Sequence, residues 1–219
     1  MPEETTAMIP AEFAGDLTKF DDDVFKSTTK SGDFLPRLQL MTANSDKCKK
    51  KEFEQNHYAF IRDQNFQDIG ESVDCLIVTW RPKAIEIGDQ IISCFDSNHD
   101  EFKRIQEKSA EQDSGCMYGP EFLIYIPHLK EFATFFCGSK SSRREAPNIR
   151  ALMTKPATFK SRFVETKKYS WQTPVVVTCS TPFEGPDLEL LRKIVDKFNT
   201  PPQTEVEVAP ETEGAERDR

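Results

Sequence analysis

Apolar and β-branched residues along the chain gather in short runs rather than long helical stripes. Residues 35–42 (LPRLQLMT), 58–62, 73–80 (VDCLIVTW), 91–95, 121–127 (EFLIYIP), 132–137 and 174–179 (PVVVTC) are all rich in branched or aromatic side chains. Turn-forming residues bracket them at 68–70, 88–89, 118–120, 138–139 and 185–186. Runs of this length and spacing predict a mainly β, α+β domain whose antiparallel sheet closes into a barrel or sandwich. Three helices complete the pattern. One spans 100–112, with Ser97 as N-cap and Asp100 three residues on. A second covers 141–153, where Pro147 reads as the start of a new helix rather than an interior residue. The third, 186–199, places Leu188, Leu191, Val195 and Phe198 on one face, and the following Thr-Pro-Pro stops it.

The ends lack such periodicity. Residues 1–30 read as a flexible acidic arm and 200–219 as a disordered acidic tail, leaving 31–199 as one globular domain. The tail holds three prolines, no aromatic residue and no leucine or isoleucine, too little apolar surface to offset its ordering entropy. Charge follows the same division. Seven acids against two lysines give residues 1–27 a net charge of −5, and six acids against two arginines give 200–219 a net of −4. The whole chain carries −8, so residues 28–199 keep a net of +1.

That balanced core contains one unbalanced stretch. Residues 130–172 hold ten basic side chains against Glu131, Glu145 and Glu165, a net of +7, interleaved with seven aromatic residues. If residues 157–168 form a strand, Lys160 and Arg162 share one face while Phe159 and Phe163 share the other, buried one. Lys167, Lys168, Tyr169 and Trp171 follow in the adjoining turn. Lysines and arginines beside flat rings are what a single-stranded polyanion requires, because cations track phosphates and rings stack on bases. Lys140, Arg143 and Arg144 add charge upstream, and Arg81 and Lys83 flank a proline that fixes their direction. The competing reading is an ordinary half-buried strand with a solvated cationic face.

Other chemistry is thinly represented. The histidines, at 57, 99 and 128, have no metal-ligand spacing, and no nucleophile elbow, phosphate loop or dinucleotide fingerprint occurs. The acid pairs Asp96/Asp100 and Glu86/Asp89 fall in turns and helix starts, where acids act as caps. The expectation is a protein that is not an enzyme and needs no cofactor or metal. Six scattered cysteines within apolar runs read as reduced, buried thiols. No run is long enough to span a bilayer, and the opening Met-Pro-Glu-Glu lacks a signal peptide's charge pattern. A cytoplasmic location is expected, in the host cytoplasm if the source is viral.

A strand-rich core, a cationic aromatic strand, a late amphipathic helix and an acidic C-terminal tail resemble the T7-type phage single-stranded DNA-binding proteins. The stretches at 114–123 (SGCMYGPEFL) and 138–147 (GSKSSRREAP) are similar to uncharacterised tailed-phage proteins. The resemblance implies an OB-like antiparallel barrel that coats single-stranded DNA without sequence preference during replication and recombination. It also implies a tail that recruits replication proteins and competes for the DNA groove, in a protein able to self-associate. This tail departs from that family by holding six acids and ending Glu-Arg-Asp-Arg. The alternatives are a virion structural or assembly protein, with seventeen phenylalanines to build a docking patch, and a metal-dependent nuclease.

Overall fold

The computed structural model describes residues 35–200, apart from 63, 89, 112, 113 and 168, together with the backbone strand at 204–208. Ten strands and four helices alternate irregularly along it. The strands are β1 (Arg37–Leu40), β2 (Tyr58–Arg62), β3 (Asn65–Asp68), β4 (Ser72–Ile87), β5 (Gln90–Cys94), β6 (Cys116–Ile126), β7 (Glu131–Phe136), β8 (Pro156–Glu165), β9 (Ser170–Thr178) and β10 (Thr204–Val208). The helices are α1 (Asp46–Lys49), α2 (Asp100–Lys108), α3 (Lys140–Ala151) and α4 (Leu188–Asn199).

β4 organises the sheet. One of its edges pairs with β6 from Leu76 to Glu86. The other carries β8 along Ser72–Leu76 and β5 along Ala84–Ile87, so the sheet forks there. From β6 the order continues through β7, β1 and β2 to β3, and β10 lies outside β5. All described pairings are antiparallel except β1 with β7, which makes the sheet mixed. The sequence run that ends at Trp80 continues through Pro82. Pro82 stands opposite Pro120, and the Pro120 carbonyl turns to β7, where it accepts from the Cys137 amide at 2.9 Å. Each proline thus presents its ring nitrogen away from the other, so the β4–β6 ladder loses no bond to them. Gly119 belongs to β6 rather than to a turn. A Cβ there would lie 2.1 Å from the Cys137 carbonyl oxygen, so only glycine admits the close strand crossing.

A β-bulge between Ile77 and Thr79 resets the alternation of β4. Val73, Cys75 and Ile77, then Trp80, face the main core, which also contains Tyr58, Phe122, Phe135 and Phe159. Leu76 and Val78 face the opposite side, where α4 lays Ile194 and Phe198 on Leu123, Tyr125 and Phe132. Asp187 caps that helix by accepting from the Leu190 amide. α2 covers the far end of β4 through Phe102 and Ile105.

The sheet curls but does not close. Tyr58 of β2 reaches across the interior and donates its hydroxyl to the Lys160 carbonyl of β8 at 2.9 Å. The Phe159 ring lies between Tyr58 and Phe135, at 6.2 and 4.6 Å. No ladder joins these walls; instead α3 lies along β9, and the Glu145 carboxylate accepts from the Val176 amide. A helix therefore occupies the edge that barrel closure would need, and the expected OB-like barrel is corrected to an open, curled sheet.

Three local expectations also change. α2 is capped by the His99 ring rather than Ser97. α3 runs through Pro147, beginning at the Ser139 cap, because Ser142, Ala146 and Ile149 bury one continuous face. Residues 204–208 form a strand on β5, where the Thr-Glu-Val-Glu-Val pattern supplies a period of two and pairing needs only backbone. The remaining tail and the arm lie outside the described residues. All six cysteines are free thiols, five of them buried. Among the described residues no helix is long and apolar enough to cross a membrane.

Two outcomes follow from this packing. Hydrogen bonds from Arg104 and Lys108 hold the Glu86 carboxyl down at about 2, against an ordinary 4.5. A depressed folded value adds stability that is present above pH 4.5 and is lost as the pH falls toward 2. Thermal melts across that window should show Glu86→Gln less acid-sensitive than the parent. Tyr58→Phe should lower the unfolding free energy by about 1 kcal/mol in denaturant titration, the usual value of one hydrogen bond.

Candidate functional site

β8 and β9 stay paired from Ala157 to Glu165, but β4 ends at Ser72, opposite Lys160. Beyond that point the pair projects from the sheet as a two-stranded ribbon. Its residues alternate as the sequence predicts as far as Phe159, which is fully buried while Lys160 and Arg162 are exposed on the opposite face. Phe163 departs from the expectation. It is 57% exposed, because the strand that would have covered it stops three residues earlier. Tyr169, near the ribbon tip, is 72% exposed. Trp171 stands opposite Val164 on the Arg162 face and is half-buried. Its indole nitrogen, Gln172 Oε1 and Thr173 Oγ1 are buried without a hydrogen-bond partner among the described residues.

The charge on this ribbon is uncompensated. Elsewhere several lysines and arginines find carboxylates: Lys47 with Glu52, Arg62 with Glu131, Arg104 and Lys108 with Glu86, Lys193 with Glu189. Two of the basic segment's three acids are engaged away from its cations, since Glu131 is held by Arg62 and Glu145 by the Val176 amide. Lys160, Arg162 and Lys167 make no ion pair with any described residue. Lys168 lies outside the described residues.

The other predicted contacts divide. Lys140 and Arg144 are exposed on α3, which flanks β9. Arg143 is turned inward: its guanidinium stacks 4.2 Å from the Tyr118 ring and donates to the Tyr118 and Gly138 carbonyls. Arg81 and Lys83 are corrected outright. Both lie inside the protein under the end of α4, where Glu121 accepts from Arg81 Nε at 2.7 Å and from Lys83 Nζ at 2.8 Å. Arg81 also donates to the Phe198 carbonyl at 2.8 Å and sits between the Phe95 and Phe198 rings, at 3.9 and 4.2 Å. Burial by itself pushes the Glu121 carboxyl up; the facing Lys83 and Arg81 outweigh it and hold it below the ordinary range. This triad holds a helix in place, with Lys83 and Glu121 buried and Arg81 largely so. An acid within the apolar run EFLIYIP was the signal for it.

The sequence reading missed a cleft of about 540 Å³ on the outer face of the sheet. Ser72 and Asp74 of β4, Tyr125 and His128 around the end of β6, and Phe183 and Glu184 from the β9–α4 connection form its walls. Asp74 Oδ1 accepts from Thr158 Oγ1 at 2.5 Å. Burial and the Glu184 charge push the Tyr125 phenol up, so it is a neutral donor at any ordinary pH. These residues are far apart in sequence, and no motif connects them. Of the acids weighed as metal ligands, Glu86 is held by two cations and Asp96 caps the Asn98 amide. Among the described residues no three His, Cys, Asp or Glu side chains gather as a metal site. No family model, curated protein or solved structure matches the chain.

Removing one member of the triad should be costly. Glu121→Leu leaves two buried cations and is expected to destabilise the fold by about 3–5 kcal/mol in urea titration. The triple change Glu121→Leu, Arg81→Met and Lys83→Met should recover most of that loss, since a packed apolar cluster leaves no charge uncompensated.

Proposed function

We propose that the protein binds single-stranded nucleic acid, with little dependence on sequence, along the outer face of the β8–β9 ribbon. Lys160, Arg162 and Lys167 contact phosphates, with Lys140, Arg144 and Lys168 extending the electrostatic field. Tyr169 stacks on bases, and Trp171, on the same face as Arg162, contributes the exposed part of its ring. The observation carrying this reading is a projecting ribbon whose cations have no carboxylate partners among the described residues while the Tyr169 ring stands in solvent near them. A folded protein ordinarily covers such rings and pairs or disperses such charge. Single strands fit this surface better than duplex, because stacking requires bases whose faces are open.

The role matches that of phage-type proteins that coat single strands during replication and recombination. The acidic ends, net −5 over 1–27 and −4 over 200–219, are complementary in charge to the ribbon. That complementarity suits a competitor for the strand or a handle for replication proteins.

Fluorescence anisotropy with labelled oligo-dT tests the reading. The affinity should fall with salt by about 0.7 log units per log unit for each phosphate neutralised. Lys160→Ala/Arg162→Ala/Lys167→Ala should flatten that slope by about 2. Tyr169→Ala should weaken binding by about 1–3 kcal/mol with the slope unchanged, whereas Phe163→Ala, on the opposite face, should leave it unaltered. Absence of binding at low salt overturns the proposal, and a large DNA-independent oligomer in light scattering would then favour the assembly role.

A further inference from the structure

The ribbon and the cleft share one face of the sheet. Lys160 stands directly opposite Ser72 in the β4–β8 ladder, and Thr158 directly opposite Asp74. Partners in such a ladder project to the same side, so the last cation of the ribbon borders the cleft wall. Asp74 lies two residues further along, about 7 Å at the usual strand rise. A strand whose phosphate rests on Lys160 therefore has its next base at the cleft mouth.

The cleft's own chemistry differs from the ribbon's. Asp74 and Glu184 put two carboxylates into it against one cation, Lys130, and one Asp74 oxygen is already engaged by Thr158. The two acids outnumber the Lys130 ammonium, so a phosphate is disfavoured there. A neutral base edge that offers N–H donors is attracted, because its amine can donate to the second Asp74 oxygen or to Glu184. Phe183 and His128 supply flat walls for its faces, and Tyr125 supplies a buried phenol. The carboxylates discriminate among bases. Cytosine presents an exocyclic amine to such acceptors, whereas thymine presents a carbonyl oxygen and a methyl group at the same position.

We infer that the cleft holds one base of the bound strand and selects a base bearing an exocyclic amine, cytosine foremost. The inference rests on the ribbon reading for the path of the strand, but the cleft's preference can be measured without it. The phosphate path remains indifferent to sequence, and one position along it is read.

Two measurements on the full chain decide the matter. In anisotropy, oligo-dC should bind about tenfold tighter than oligo-dT of equal length, the discrimination expected of a carboxylate–amine contact. Asp74→Asn/Glu184→Gln keeps the shapes and an acceptor for Thr158 while removing both charges. It should abolish the preference, so that oligo-dC and oligo-dT bind alike. Equal binding of the two oligonucleotides by the parent, or a preference that survives the double variant, overturns the cleft inference with the ribbon reading intact. In the second measurement, cytidine and thymidine at millimolar concentration are titrated while the His128 and Tyr125 ring resonances are followed by NMR. Shifts with cytidine that thymidine and the double variant do not show support the cleft even if no oligonucleotide binds, in which case the ribbon reading alone fails. No shift with either nucleoside counts against the cleft whatever the ribbon does.

Discussion

A single sixteen-residue strand has to serve three neighbours and two cores, and most of the architecture follows from how β4 meets that demand. An unbroken alternation would give it one apolar face from end to end. The bulge after Ile77 shifts the phase, so that Val73, Cys75 and Ile77 fill the main core while Arg81 and Lys83 turn to the α4 side. The buried triad with Glu121 is a product of that shift. It fixes the end of α4 through the Phe198 carbonyl, which in turn seals the second core. The early end of β4 at Ser72 has the opposite effect: it leaves β8 and β9 to continue alone into solvent.

Charge is arranged with the same economy. Cations on α2, β2 and α4 are held by nearby carboxylates and act as surface struts. Those under α4 are buried and satisfied by Glu121, a carbonyl and two rings. Along the ribbon and α3 cations accumulate while two neighbouring acids, Glu131 and Glu145, face elsewhere. The net of +7 in the sequence of 130–172 therefore understates the asymmetry, because position and not composition decides which charges are neutralised.

Much of this was legible in the order of residues. β2, β5 and β7 fall where β-branched and aromatic runs predict them, and α4 follows from Leu191, Val195 and Phe198 at helical spacing. The sequence was less informative wherever a distant partner decides the outcome. Arg81-Pro82-Lys83 reads as the exit from a strand, yet a proline facing a proline is tolerated and the strand runs on. Pro147 reads as a break, but the buried face of Ser142, Ala146 and Ile149 carries the helix past it. Phe163 has the period of a core residue, and a period of two cannot reveal where the covering strand stops. The cleft was invisible because Asp74, Tyr125 and Glu184 meet only once the sheet has formed.

The bond between Glu145 and the Val176 amide has a consequence for the protein's behaviour in a crowded solution. A bare sheet margin is a template on which another chain can add a strand, and repeated addition leads to fibrils. β9 is rich in valine and would be an efficient template. With α3 lying along it and a carboxylate occupying one of its amides, an incoming strand must first displace a packed helix. The same helix that leaves the barrel unclosed thus protects the molecule from templated aggregation, and it does so while leaving the outer face of the hairpin free.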